Sequence, residues 1–250
     1  VPQDYENSLE ALQELERNKC GAFEVAFLGL TSGTTGTPKA CEWPTPAVKL
    51  YAQTVIERMR LTHEDVMGII APLTGGPGIT LWLTSLLLGS KTALLEKFDA
   101  ESALQLIAKE RVTAAGLVHA QLIKMSNHPN LARYNLSSLR AVRATASLIA
   151  REVAAEVEAK MGCKILTAAG SQESMSIGHT HIDDPDVIRI ESIGKPWKYN
   201  EVKIVGENQE ELPSEEEGEI CVRGPCTGSG YFRDVESTIA AWGVLGIEGS

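Results

Sequence analysis

The stretch Thr31-Ser32-Gly33-Thr34-Thr35-Gly36-Thr37-Pro38-Lys39 concentrates the chemistry of this chain. Its two glycines let the backbone come close to a ligand and turn N–H groups toward it. Five hydroxyls and the Lys39 ammonium add donors and a positive charge, and no carboxylate opposes them. Such a set can cradle a polyphosphate. It is not the GxxxxGK[ST] phosphate loop, because the order here is GxxGxxK and Pro38 precedes the lysine. A turn that merely joins two strands has no need of all these residue types in this order. Other candidates carry less. His179-x-His181 has the form of a metal pair, but no third ligand stands at metal spacing, so two exposed loop histidines are expected. His119 is expected as a satisfied, buried imidazole, and the four tryptophans as packing residues.

These groups need a scaffold to hold them. The loop follows an apolar run, Phe23 to Leu30, that predicts a strand. A helix is predicted from Thr45-Pro46, with Thr45 as N-cap and Val48, Tyr51, Val55 and Met59 at helical spacing. Further strands are predicted at Val66 to Ala71, Thr92 to Leu95, Thr113 to Val118, Leu139 to Val142 and Lys164 to Thr167. Between them lie a mostly buried helix (Ile79 to Leu88), one capped by Asp99, and one that aligns Val153, Val157 and Met161 and stops at Gly162. Alternation of this kind predicts an α/β fold, a mostly parallel sheet with helices on both faces. Beyond Asp183 the pattern changes. Val187 to Ser192, Glu201 to Val205 and Glu219 to Val222 read as strands of an antiparallel piece, with Gly194-Lys195-Pro196 at the seam.

Composition narrows the classes. The chain has 250 residues, a formal charge of −10 and 43% apolar residues, enough for an ample core. No run is long and apolar enough to span a membrane, and no basic stripe offers itself to nucleic acid. Five scattered cysteines without a CxxC pair, and no visible signal peptide, lead to the expectation of a reduced, cytoplasmic protein. The glutamates between Glu207 and Glu219 are expected on a solvated hairpin loop.

The Thr31–Lys39 loop resembles the signature loop of the adenylate-forming enzymes, which include acyl- and aryl-CoA synthetases, peptide-synthetase adenylation domains and luciferases. Similar landmarks follow in family order: Pro72-Leu73, Leu94 to Asp99, His128 to Leu131 with Tyr134 to Arg140, and Gly170-Ser171-Gln172-Glu173. Gly194-Lys195-Pro196, Glu201 to Val205, Gly218 to Pro225 and Gly230-Tyr231 complete the series. The resemblance implies a two-step ligase. A carboxylic acid attacks the α-phosphate of ATP, pyrophosphate leaves, and the acyl-adenylate passes its acyl group to coenzyme A or a carrier-protein pantetheine. It assigns the phosphate cradle to Thr31, Ser32, Gly33, Thr34, Thr35, Gly36 and Lys39, and Mg²⁺ to Glu173. It places Gln172 at the AMP phosphate, making Lys39, Gln172 and Glu173 the catalytic set. Adenine is assigned to Ala144, Thr145 and Ala146 and to Ala168, Ala169 and Gly170, and the acid pocket to Gly75, Gly76 and Ser171.

Several positions depart from the family pattern. Ala169 replaces the aromatic that packs on adenine, Gln172 replaces a threonine, Gly75-Gly76 replace a histidine segment, and Ala40 replaces a glycine. Gly-Ser-x-Glu and the segment His181 to Pro185 are similar to benzoate-type and dihydroxybenzoate-activating relatives, which favours an aryl acid. A catalytically degenerate binding module of the same fold is the rival that Ala169 and Gln172 motivate. The resemblance divides the chain into a central α/β subdomain, residues 1–190, and the start of a β-rich subdomain, 191–250. It leaves an N-terminal subdomain and a C-terminal lid domain outside this sequence, so that this piece alone is expected to adenylate nothing efficiently. A homodimer is compatible with the resemblance.

Overall fold

The computed structural model describes residues 21, 24–31, 37–145 and 149–242. Strands β3 (Val66–Ile69), β4 (Lys91–Leu94), β5 (Ala114–Val118), β6 (Ala141–Thr145), β7 (Lys164–Ala169) and β8 (Gly178–His179) form a sheet of order β4-β3-β5-β6-β7-β8. All pairs are parallel except β7 with β8. From β3 the chain passes to β4 on one side and then crosses to β5 on the other. Such a reversal opens a crevice at the C-terminal strand ends.

Helices α1 (Thr45–Met59) and α2 (Gly76–Leu88) cover one face. There Val55, Met59 and Leu81 pack on Met67, Ile69, Ala114, Ala141 and Leu166. Helices α3 (Ala100–Glu110), α4 (His119–Ser126) and α5 (Arg151–Met161) cover the other, where Leu104, Ile107, Leu122, Met125 and Val157 meet Val142, Ala144 and Ile165. Alternate residues of β6 therefore serve opposite faces, as the two-residue strand period requires. Small residues in β5 bring α2 very close: a Cβ on Gly116 would lie 2.4 Å from the Pro77 carbonyl oxygen. Arg140, just before β6, donates to the Met59 carbonyl at 2.9 Å and pairs with Asp65 at 2.9 Å, which ties the end of α1 to the sheet.

The predicted cap at Asp99 accepts from the Ser102 N–H at 2.9 Å, and Gly162 ends α5 at φ 69°. Pro44, rather than Thr45, is the N-cap of α1; the Thr45 hydroxyl instead donates to the Glu24 carbonyl at 3.1 Å. One predicted strand is a helix. Val187 to Ser192 lies mainly within α6 (Asp186–Glu191), because a helical turn lets Arg189 reach Asp186 at 2.6 Å while Ile190 enters the core. Tertiary burial overrides the strand preference of Val187, Ile188 and Ile190.

A second sheet, β1-β2-β11, joins β1 (Val25–Leu30) and β2 (Ala40–Pro44) to β11 (Gly230–Tyr231), all antiparallel. Tyr231 thereby pairs with Cys41, two residues from Lys39. Strands β9 (Glu201–Val205) and β10 (Glu219–Arg223) form a separate antiparallel pair, and α7 (Val235–Trp242) follows β11.

Candidate active site

The C-terminal ends of β5, β6 and β7, the N-terminus of α2, and the β1–β2 hairpin with Tyr231 enclose a cavity of about 1280 Å³. Ser32, Gly33, Thr34, Thr35 and Gly36 lie outside the described residues, as does Ala146. The stem of the loop is defined. Thr31 N–H donates to the Lys39 carbonyl at 2.9 Å, and Lys39 N–H donates to the Thr31 hydroxyl at 2.9 Å. The Thr31 oxygen thus closes the loop base, and Thr31, Thr37 and Lys39 all line the cavity.

Three groups converge at this mouth. The Lys39 ammonium lies 5.0 Å from the Tyr231 ring centroid, and the Tyr231 hydroxyl donates to Glu173 Oε1 at 2.6 Å. Burial pushes the Glu173 carboxyl up. The Tyr231 hydroxyl, Ser171, a backbone N–H and the Lys39 charge outweigh it and hold the group below its ordinary value. Burial and this same carboxylate raise the Tyr231 phenol, so that it stays a donor. Glu173 is also fixed through its backbone, whose carbonyl accepts from Gly228 N–H at 2.7 Å.

Residues 170–175 form a tight turn that aims these groups. A Cβ on Gly170 would lie 2.1 Å from the Met175 carbonyl oxygen, so only glycine fits. The Ser171 hydroxyl accepts from the N–H groups of Glu173 at 3.2 Å and Ser174 at 3.0 Å, so it shapes the turn while lining the cavity. Gln172 lines the cavity as well; its Oε1 would lie 2.2 Å from a Cβ on Gly29 and has no hydrogen-bond partner. Its backbone carbonyl accepts from Trp43 Nε1 at 2.8 Å.

The adenine assignment divides. Thr145, Ala168, Ala169 and Gly170 line the cavity, whereas Ala144 is fully buried in the opposite core. Strand alternation turns the Ala144 side chain away from the cavity. Gly75 and Gly76 line the pocket wall, and a Cβ on Gly76 would meet nothing within 4 Å. His119 is buried, and burial keeps its imidazole below its ordinary value against a hydrogen bond at Thr145. His179 is not the exposed loop residue expected. It is 1% exposed in β8, its Nδ1 donates to the Thr180 carbonyl at 2.6 Å, and its pKa falls to about 3 through burial and then the Arg143 charge. Pairing of β8 onto β7 drives that burial.

Sequence reasoning gave Tyr231, Trp43, Tyr51 and Arg143 no part in the site, reading Trp43 as packing and Tyr51 as part of an apolar helix face, although all four line the cavity. The Gly230-Tyr231 landmark was a signal for the first. For Arg143 the signal was a lone cation inside the otherwise apolar run Ala141 to Ala144. Among the described residues no group of three or more His, Cys, Asp or Glu could hold a metal, and no helix is long and apolar enough to cross a membrane.

The sequence profile of the AMP-binding enzyme family matches residues 2–232. The chain belongs to this family of adenylate-forming enzymes. It is 31% identical over 233 residues to the putative acyl-CoA synthetase YngI of Bacillus subtilis, covering 92% of this chain and 42% of the relative. It is 28% identical to the 4-coumarate–CoA ligase of Pinus taeda, covering 96% of this chain and 48% of that one. Among solved structures, the amide bond synthetase McbA from Marinactinospora thermotolerans superposes with a TM-score of 0.77 at 31% identity, covering 86% of this chain and 44% of that one. This AMP-binding chain therefore spans less than half the length of these relatives.

Proposed function

We propose that the chain supplies the phosphate- and acid-binding floor of an AMP-forming ligase. In this reading a carboxylic acid, preferentially an aryl acid, is activated with ATP to acyl-adenylate and pyrophosphate, and the acyl group then passes to coenzyme A. The observation that carries it is the meeting of Lys39, Tyr231 and Glu173 at the mouth of a large cavity. As the α–β phosphate bond breaks, negative charge accumulates on the leaving pyrophosphate. Donors fixed beforehand stabilise that charge without reorganising. Lys39 supplies the positive charge, and the loop hydroxyls supply hydrogen bonds.

Glu173 fits a Mg²⁺ that travels with the nucleotide, since this ion takes one or two carboxylates and completes its shell with phosphate oxygens and water. A single ionised carboxylate, with no protein cage around it among the described residues, is the donor set such an ion uses. When bound, the ion would neutralise phosphate charge. Ala169 leaves adenine without an aromatic platform, so the backbone near Ala168 to Gly170 carries that contact. Trp43, Gly75 and Gly76 border a space suited to a ring, and a relationship to a coumarate ligase supports the aryl preference. Residues 1–190 form the central unit in this reading, and 191–250 begin a β-rich subdomain.

The test is carboxylate-dependent ATP–pyrophosphate exchange by the complete gene product, across aryl and aliphatic acids. Exchange is expected, and it should drop sharply in Lys39→Met and Glu173→Gln. Silence with every acid while ATP still binds would instead show a degenerate binding module, the reading that Ala169 and Gln172 motivate.

A further inference from the structure

Among the described residues two guanidinium groups are almost completely buried. Arg189 is 1% exposed and is held by Glu158 and Asp186. Arg143 is 2% exposed, and among the described residues no acidic side chain pairs with it. Its Nη2 donates to the Tyr51 hydroxyl at 2.9 Å, while Nε and Nη1 have no partner. The Tyr51 oxygen meets the Thr80 hydroxyl at 3.0 Å, and that hydroxyl reaches the Gly76 carbonyl at 2.5 Å. Every member of this chain after Arg143 is neutral; the Tyr51 ring, 5.8 Å from Arg143 Cζ, offsets part of the charge but supplies no counter-ion. A buried cation with only neutral partners is costly to the fold, as a buried pair becomes when one partner is removed. A site that keeps such a group has a use for its charge.

Its placement says what that use is. Arg143 projects from β6 on the same face as Thr145 and lines the cavity beside Tyr51, Gly75 and Gly76. The positive end of the α2 dipole, at Gly75 and Gly76, borders the same region. His179 is held neutral by burial, so it adds no second positive charge there and no counter-charge either. Trp43 links Tyr51, the partner of Arg143, to Gln172, the neighbour of Glu173. Its indole meets the Tyr51 ring edge-on at 6.3 Å, and its Nε1 bonds the Gln172 carbonyl on the other side.

We propose that Arg143 is a specificity-determining anion receptor, and that the acid this site takes carries a second carboxylate, distal to the one activated. The proposal rests on the reading that an acid occupies the cavity. The reacting carboxylate must lie at the phosphate mouth, near Lys39 and Glu173, so Arg143 is left for the other end of the molecule. A carboxylate against the guanidinium would supply the negative partner it lacks, and a small shift of the side chain would bring one of its shielded, unpaired N–H groups onto that acceptor.

Matched probes test it: terephthalate against 4-carbamoylbenzoate, and glutarate against glutaramate, each pair alike in shape and different by one charge. The complete gene product is assayed by pyrophosphate exchange, and by thermal shift with the acid alone. The diacid of at least one pair should be preferred roughly 10- to 100-fold in kcat/KM, the range of a hydrogen-bonded charge. Arg143→Met should abolish that preference, lowering kcat/KM of the diacid far more than that of its neutral partner, and Arg143→Lys should keep part of it. Equal use of both members of each pair, or an equal loss with both in Arg143→Met, would overturn the proposal. Should no acid support exchange, the ligase reading fails and the thermal shift alone decides. A shift given by a diacid and lost in Arg143→Met supports the receptor; no diacid-specific shift refutes it.

Discussion

Replacing Tyr231 by phenylalanine removes one oxygen and tests the site at its most connected point. The ring keeps its place above Lys39 and its edge-on contact with Trp242 at 5.1 Å, so the change isolates the hydrogen bond to Glu173. A bond to a charged acceptor contributes about 1.5 to 3 kcal/mol when fully buried. Glu173 is only half-buried, and water recovers part of the loss, which leaves about 1 kcal/mol. Across a chain of this size that is a fall of roughly 2 to 4 °C in Tm. The pH dependence carries the sharper signature. The folded Glu173 carboxyl lies below its ordinary value of 4.5, so its contribution is complete above that pH and is lost as pH falls through the folded value. The gap between wild type and Tyr231→Phe should therefore be full at neutral pH and close in acid. Thermal unfolding over this range measures it. A gap that persists unchanged in acid, or no gap at neutral pH, would refute the assignment of Tyr231 as the group that holds Glu173 ionised.

Other outcomes follow from the same geometry. Gly116→Ala should cost roughly 1 to 3 kcal/mol in urea unfolding, because its Cβ meets the Pro77 backbone at 2.4 Å, whereas Gly76→Ala, with open space around it, should be nearly neutral. Gly76→Leu should narrow the cavity and lower pyrophosphate exchange with ring acids more than with short aliphatic ones; equal losses would remove Gly76 from the acid pocket. His179 is neutral when folded and protonates readily when unfolded, so stability should fall as pH drops from about 6.5 toward about 3, by up to about 1.4 kcal/mol per pH unit. His179→Gln should flatten that slope in urea unfolding at successive pH values. Arg189→Met leaves Glu158 without its buried partner and should cost about 3 kcal/mol.

Much of the scaffold was legible because its signals are local. Apolar runs between helices of regular period, the Asp99 cap and the Gly162 stop are properties of neighbouring residues, and they appear where the pattern placed them. Strand ends were less legible: β6 runs on to Thr145, past the predicted end at Val142, and so carries Arg143 and Thr145 to the cavity. The helix α6 reads as a strand because Val187, Ile188 and Ile190 favour one by type, whereas the burial of Ile190 and the pairing of Arg189 with Glu158, which add to the local Asp186 contact, come from the tertiary fold.

The chain by itself determined the kind of chemistry. Its Gly, Thr and Lys order is the pattern that marks the family and that we propose cradles phosphate, since donor types and backbone freedom are written residue by residue. Tertiary structure decided which groups act together. Tyr231 meets Lys39 only because β11 returns to pair with β2, and Ala144 leaves the site only because β6 has a core on both faces. The unpaired charge of Arg143 is likewise a fact of three dimensions. Whether a buried cation has a counter-ion depends on every segment packed around it, and no spacing along the chain records that.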